Sequence, residues 1–233
     1  IYGLAASIAD LLFNFYLVSL GYDVAAAGML ATVYRTAGVA LGLPIGALID
    51  RAGARRSLIL GAALYGVSWA LVIMSTSLWA LAATYFLAGA ASILTVTAVV
   101  PLLTGVTAAK ERASVFGLNA AAALLIGLVG SALGGVLPGL AANLLQTAPQ
   151  ATGAYRLALA SVVALGLLSM LPVIRLAETS AQPDPSATPA PEPARISRLG
   201  LVRLALPSLL LGVGRSEEHT SELQSLTNLV CRL

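Results

Sequence analysis

Six long apolar runs separated by short polar turns constrain this chain more than any other feature. They cover residues 1 to about 20, 25 to 49, 57 to 74, 78 to 103, 113 to 140 and 154 to 174. Each has roughly the 20 residues that a helix needs to cross about 30 Å of hydrocarbon, and their Gly, Ala and Leu content suits packed membrane helices. An alternating-polarity barrel pattern is absent. Only 10% of the residues are charged and 58% are hydrophobic, whereas soluble domains carry about 25% charged residues. The solvent expected for most of the chain is lipid.

The turns between the runs differ in charge. Arg51, Arg55, Arg56, Lys110, Arg112 and Arg175 follow runs two, four and six, while the turns after runs one, three and five are nearly free of Lys and Arg, with Arg156 as the exception. Basic loops stay on the cytoplasmic side, so residues 50–56 and 107–112 are expected in the cytoplasm of a protein of the cell inner or plasma membrane. Tyr22, Trp79 and Tyr155 fall near the opposite face, where an aromatic belt would sit. The net charge of +3 comes from these loops and forms no stripe or patch, which argues against nucleic acid as a partner.

Beyond residue 176 the character changes. Residues 177–198 hold Pro183, Pro185, Pro189, Pro191 and Pro193 among Ala, Ser and Thr, the composition of a hydrated linker, which is expected in the cytoplasm with the basic loops. A seventh apolar run starts at 199 and stops at 214, truncated by charge at Arg215, Glu217 and Glu218. The run from Arg215 to Ser225 resembles the in-frame translation of a common sequencing adapter, so 215–233 are expected to be non-native. The front also reads as truncated, because the chain opens at Ile1 within an apolar run.

Chemistry is bounded by what the chain contains. His219 and Cys231, its single histidine and single cysteine, both fall in the suspect tail. Residues 1 to 214 therefore offer no thiol or imidazole nucleophile, no zinc-ligand set, no H-E-x-x-H helix and no paired intramembrane carboxylate. No enzyme, metal or cofactor is expected.

Two groups of residues invite function. Asp10 and Arg35 each interrupt an apolar run. At 1.5 Å per residue both lie about 19 Å from the turn at Tyr22 and Asp23, near the bilayer midplane, where a charge costs roughly 2.5 to 3.5 kcal/mol. A buried pair lining a central cavity is expected, with Asn14 one turn from Asp10 on the same face. A structural ion pair and a proton-carrying pair fit this spacing equally. The other group is the stretch Gly46 to Leu58, in which Gly46, Asp50, Arg51, Gly53, Arg55 and Arg56 form a glycine-hinged charged turn.

That stretch has the spacing G-x-L-x-D-R-x-G-x-R and resembles the cytoplasmic loop signature of the major facilitator superfamily of secondary transporters. The resemblance implies an all-α transmembrane fold: residues 1–176 would be the six-helix N-terminal half of a twelve-helix protein, with the chain ending in helix seven and the C-terminal half missing. It implies alternating access, with Asp50 as a state-dependent charge partner, Gly46 and Gly53 permitting close approach, and Arg51 and Arg55 completing the network. Ala54 stands where the family usually has a base, with Arg56 next to it. Gly38, Gly42 and Gly46 on the second helix, and Gly130, Gly134 and Gly135 on the fifth, lie at close-packing spacing, on the helices that in this family face the other half. The fifth helix partly matches the drug–proton antiporter signature G-x-x-x-G-P-x-x-G-G, with Gly130-Ser131 in place of Gly-Pro. Tyr85, before Gly89, occupies the position of the family's fourth-helix arginine. The expected partners are a small solute, a proton and the lipid bilayer. Proton-coupled efflux of an amphipathic compound is the first reading; uptake of a polar solute, or a channel or receptor on the same fold, is the alternative.

Overall fold

The computed structural model describes residues 1–108 and 110–175; the linker, the seventh run and the suspect tail lie outside the described residues. The described part is all helical: α1 (Tyr2–Ser19), α2 (Val24–Ala52), α3 (Ala54–Met74), α4 (Leu78–Val106), α5 (Arg112–Leu145), α6 (Thr152–Leu168) and α7 (Met170–Arg175). The last two form one apolar span, so six are long and apolar enough to cross a membrane.

The helix ends follow local chemistry. Asp23 caps α2 by accepting the Ala26 N–H at 2.9 Å, and Ser77 Oγ caps α4 from Ala80 at 3.3 Å; both satisfy amides that lack a helical partner. The break between α6 and α7 falls at Ser169. Pro172 explains it, because a proline three residues on has no N–H for the carbonyl of Leu168. Pro44 and Pro101 lie inside α2 and α4, which run through them.

The charged stretch is not the loop that its composition suggests. α2 stays helical through Ala52 and α3 starts at Ala54, so Gly53 alone separates them. Its φ of +85° lies in a region that L side chains rarely adopt. Asp50 and Arg51 thereby occupy the last turn of α2, and Arg55 and Arg56 the first turn of α3. Arg51 there complements the negative end of the α2 dipole.

The centre of the unit is α3. Half of its apolar window is buried (50%), against 11% for α2 and for α5. Helix α3 packs on α4 and α6, α1 on α5 and α6, and α2 on α4. The core is aromatic: Phe13 stacks on Tyr85 at 4.0 Å, Trp69 meets both edge-on, and Tyr65 abuts Trp69 and Tyr2.

The glycines divide into closed and open rows. A Cβ at Gly130 would come 2.7 Å from Ser7 Cβ, and one at Gly134 would come 3.0 Å from Leu11, so these two seat α5 on α1. Gly38 has only loose contact with Ile93, while Gly42, Gly46 and Gly135 have nothing within 4 Å of an added Cβ. A Cβ at Gly89 would run into the Tyr34 carbonyl, so Gly89 lets α4 lie close against α2.

Polar bonds tie the bundle at the end carrying the α1–α2 and α3–α4 turns. The Tyr16 hydroxyl is shared by the carbonyls of Ile73 (3.3 Å) and Ser75 (3.2 Å), and Tyr22 donates to Thr76 O at 2.8 Å. Thr152 Oγ1 donates to Ser19 O at 2.9 Å, and Arg156 Nε to the Tyr16 oxygen at 3.4 Å. Arg156, the exception in the charge pattern, is thus a partly buried structural donor.

Candidate functional site

Two places bring the expected residues together, one midway along α1 and α2 and one at the α2–α3 junction. Midway, α1 and α2 each present a group of polar residues on the outward side of the bundle. On α1, Asp10 and Asn14 are exposed and Ser7 is half-buried; on α2, Thr32, Arg35 and Thr36 are exposed. Spacing of three and four residues puts each set on one helix face.

The hydroxyls and the amide lean on their own backbones. Ser7 donates to Gly3 O at 3.0 Å, Asn14 to Asp10 O at 3.4 Å, Thr32 to Gly28 O at 2.9 Å and Thr36 to Thr32 O at 2.8 Å. Their oxygen lone pairs can still accept hydrogen bonds.

Asp10 and Arg35 are therefore not a pair buried within the six helices: each is exposed on the outward face. The reason is packing, because Phe13, Tyr16, Tyr65, Trp69 and Tyr85 fill the interior and leave no room for ions. Tyr85 also departs from expectation. It is only 6% exposed and forms part of the aromatic floor beneath the charges instead of lining an open surface.

Asp10 lies in electrostatic reach of the hydroxyls of Tyr2, Tyr34, Tyr65 and Tyr85. Arg35 lies in reach of Tyr34 and Tyr85. Tyr34 packs on Tyr85 at 4.8 Å, and Tyr2 donates to Ser92 Oγ at 2.9 Å. The arrangement is an acid and a base at the rim of a phenol-lined floor. A half-open pocket of about 150 Å³ near Tyr2, Thr95 and Ser169 is lined by neither charge.

Sequence reasoning missed Tyr34, Thr32, Thr36 and Ser92. The two threonines could have been found, since they lie three residues before and one after Arg35. Ser92 has no comparable signal, because only the crossing of α1 with α4 brings it to Tyr2.

At the junction, Asp50, Arg51 and Arg56 are exposed and Arg55 is half-buried. The expected network of Asp50 with Arg51 and Arg55 does not form: among the described residues Asp50 has no hydrogen-bond or ion-pair partner. Arg55 instead donates from Nε to Val173 O at 3.2 Å and from Nη2 to Ile174 O at 2.6 Å. Gly46 lies one helical turn before Asp50, with open space beside it.

No curated protein and no solved structure matches the chain. The family profile of the Major Facilitator Superfamily, however, matches residues 1–217, most of the chain and all six membrane-length helices. With an all-helical unit of six such spans and the charged signature at the α2–α3 junction, this chain belongs to the Major Facilitator Superfamily and is an integral membrane protein of the transporter class.

Proposed function

We propose that the chain is part of a secondary active transporter that moves a small solute by alternating access, coupled to protons in the direction of efflux. The observation that carries this reading is the acid–base pair, Asp10 and Arg35, exposed midway along membrane-length helices of a transporter family. A charge so placed costs roughly 2.5 to 3.5 kcal/mol against lipid. A water-filled path closed off by a second half of the same protein removes that cost.

In this reading Asp10 carries the proton. Arg35, the second charge on this outward face, is the group that a solute would engage as the proton moves. The α2–α3 junction lies in the cytoplasm, in keeping with the basic residues there. The exposed carboxylate of Asp50 seeks its partner across the interface with the second half, and the open row Gly42 and Gly46 allows that half to approach.

The test uses the protein expressed from its complete reading frame in proteoliposomes, with ethidium as the amphipathic probe. Saturable, counterflow-capable flux is expected, which a channel or receptor would not give. Asp10→Asn should abolish the response to an imposed pH gradient while leaving counterflow in place. An undiminished pH response in that variant removes Asp10 from the mechanism.

A second reading, uptake of a polar solute, draws on the acceptor oxygens of Ser7, Asn14, Thr32 and Thr36 beside the pair. Glucose counterflow without ethidium flux would favour it.

A further inference from the structure

The signature at the α2–α3 junction contains two kinds of charge that the sequence treats alike. Asp50 is turned outward, whereas Arg55 is turned into the bundle, onto the end of the sixth span. Its guanidinium reaches the carbonyls of Val173 and Ile174 with two different nitrogens, at 3.2 and 2.6 Å. These carbonyls belong to the last turn of α7, where no further helical amide is available to them. A cation there also meets the negative end of the helix dipole. Beneath this contact, Val173 packs against Ile45 and Ile49 of α2, Leu58 of α3, and Leu94 and Ala98 of α4.

We propose that Arg55 is a positioning residue, a two-pronged clasp that fixes the α2–α3 junction to the end of the sixth span. The junction and that end then move as one body, and Asp50 is presented to its partner from a fixed base. The link to gating rests on the alternating-access reading above; the clasp itself does not. Arg55 acts through Asp50 and touches no solute.

The fork geometry sets the test. Lysine keeps the charge but has one nitrogen and cannot bond both carbonyls in a fixed plane. The complete protein in lipid nanodiscs is compared as wild type, Arg55→Ala, Arg55→Lys and Asp50→Asn. Amide hydrogen exchange in the segment Met170–Arg175 should quicken about tenfold or more in both Arg55 variants, the scale expected for losing a hydrogen bond to a charged group. It should stay at the wild-type rate in Asp50→Asn. If Arg55→Ala fails to fold, Arg55→Lys decides alone. Wild-type exchange in Arg55→Ala, or full protection in Arg55→Lys, overturns the clasp, as would equal quickening in Asp50→Asn.

A second measurement separates coupling from local structure. With every other cysteine of the complete protein replaced by serine, Asn14→Cys reports access to the polar face through its rate of labelling by a membrane-impermeant maleimide. The Arg55 variants should change the ratio of labelling from the two sides by about fivefold or more. An unchanged ratio in a variant whose span-six end has loosened overturns the link to gating. Labelling from one side only, under every condition and in every variant, would count against alternating access itself while the exchange comparison still judges the clasp.

Discussion

Helices α2 and α5 are buried to the same small extent, but only α2 carries a charge midway along its exposed side. In both, 11% of the apolar window is buried, so each leaves most of its length outside the six-helix core. Midway along α2 the exposed residues include Thr32, Arg35 and Thr36. Midway along α5 they are Leu124, Leu125, Leu128 and Val129. Exposure alone therefore does not identify what a membrane helix faces. The α5 surface is compatible with lipid or with an apolar protein surface. The α2 surface requires water or a polar partner, because nothing in hydrocarbon satisfies a guanidinium.

The same two helices use their glycines differently. On α5, Gly130 and Gly134 are closed against α1, and on α2, Gly42 and Gly46 are open. One row has been used to build this unit, and the other is available for whatever covers α2.

The largest expected effect tests the two surfaces directly. Leu128, 71% exposed, lies at the middle of α5, and Val39, 87% exposed, lies at the middle of α2 one turn from Arg35. Leu128→Arg should destabilise the protein in lipid nanodiscs by about 3 kcal/mol if that face meets hydrocarbon. Val39→Arg should cost under about 1 kcal/mol, the ordinary range for a solvated surface change. Equal costs, measured from denaturation midpoints in the same lipid, would mean that α2 faces lipid after all and would break the contrast.

The glycine rows give the next effect. Gly130→Leu drives a side chain into Ser7 and the Leu4 carbonyl, and overpacking of that kind costs about 2 kcal/mol. Gly42→Leu meets nothing within the six helices. It should leave the stability of the described unit within about 0.5 kcal/mol, while impeding any approach of a second half. Thermal melts of both variants decide, and a Gly42→Leu melt as low as that of Gly130→Leu would show that α2 is already covered.

These contrasts also mark what could be read from the sequence. The six spans were legible because lipid imposes a length and a composition on every one of them. So was the break at the junction, since Gly53 with its flanking charges has few structural solutions. Its form was not: charge density suggested a loop, but Asp50, Arg51, Arg55 and Arg56 fit helical turns and only Gly53 leaves the helix. Spacing put Gly42 and Gly130 in the same class, although one is open and the other closed. A small-residue repeat specifies that a helix can be approached, and the direction of approach depends on tertiary packing. For the same reason depth along the helix could put Asp10 and Arg35 at one expected level, yet it could not tell the inside of the bundle from its outer face.

The smallest effect concerns how the two helices begin. Asp23 caps α2 through a 2.9 Å bond from Ala26 N–H, whereas Glu111, which precedes α5, makes no side-chain cap bond. Asp23→Ala should cost about 1 kcal/mol, and Glu111→Ala should stay within about 0.5 kcal/mol. The reason lies in what else holds each end. The α1–α2 turn is fixed by Tyr22 on Thr76 as well as by the cap, so loosening Asp23 transmits to the turn before α4. A loss at Asp23 that vanishes in a Tyr22→Phe background would show that cap and tyrosine act as one device at this end of α2. Additive losses in the double variant would make them independent holds on the same turn.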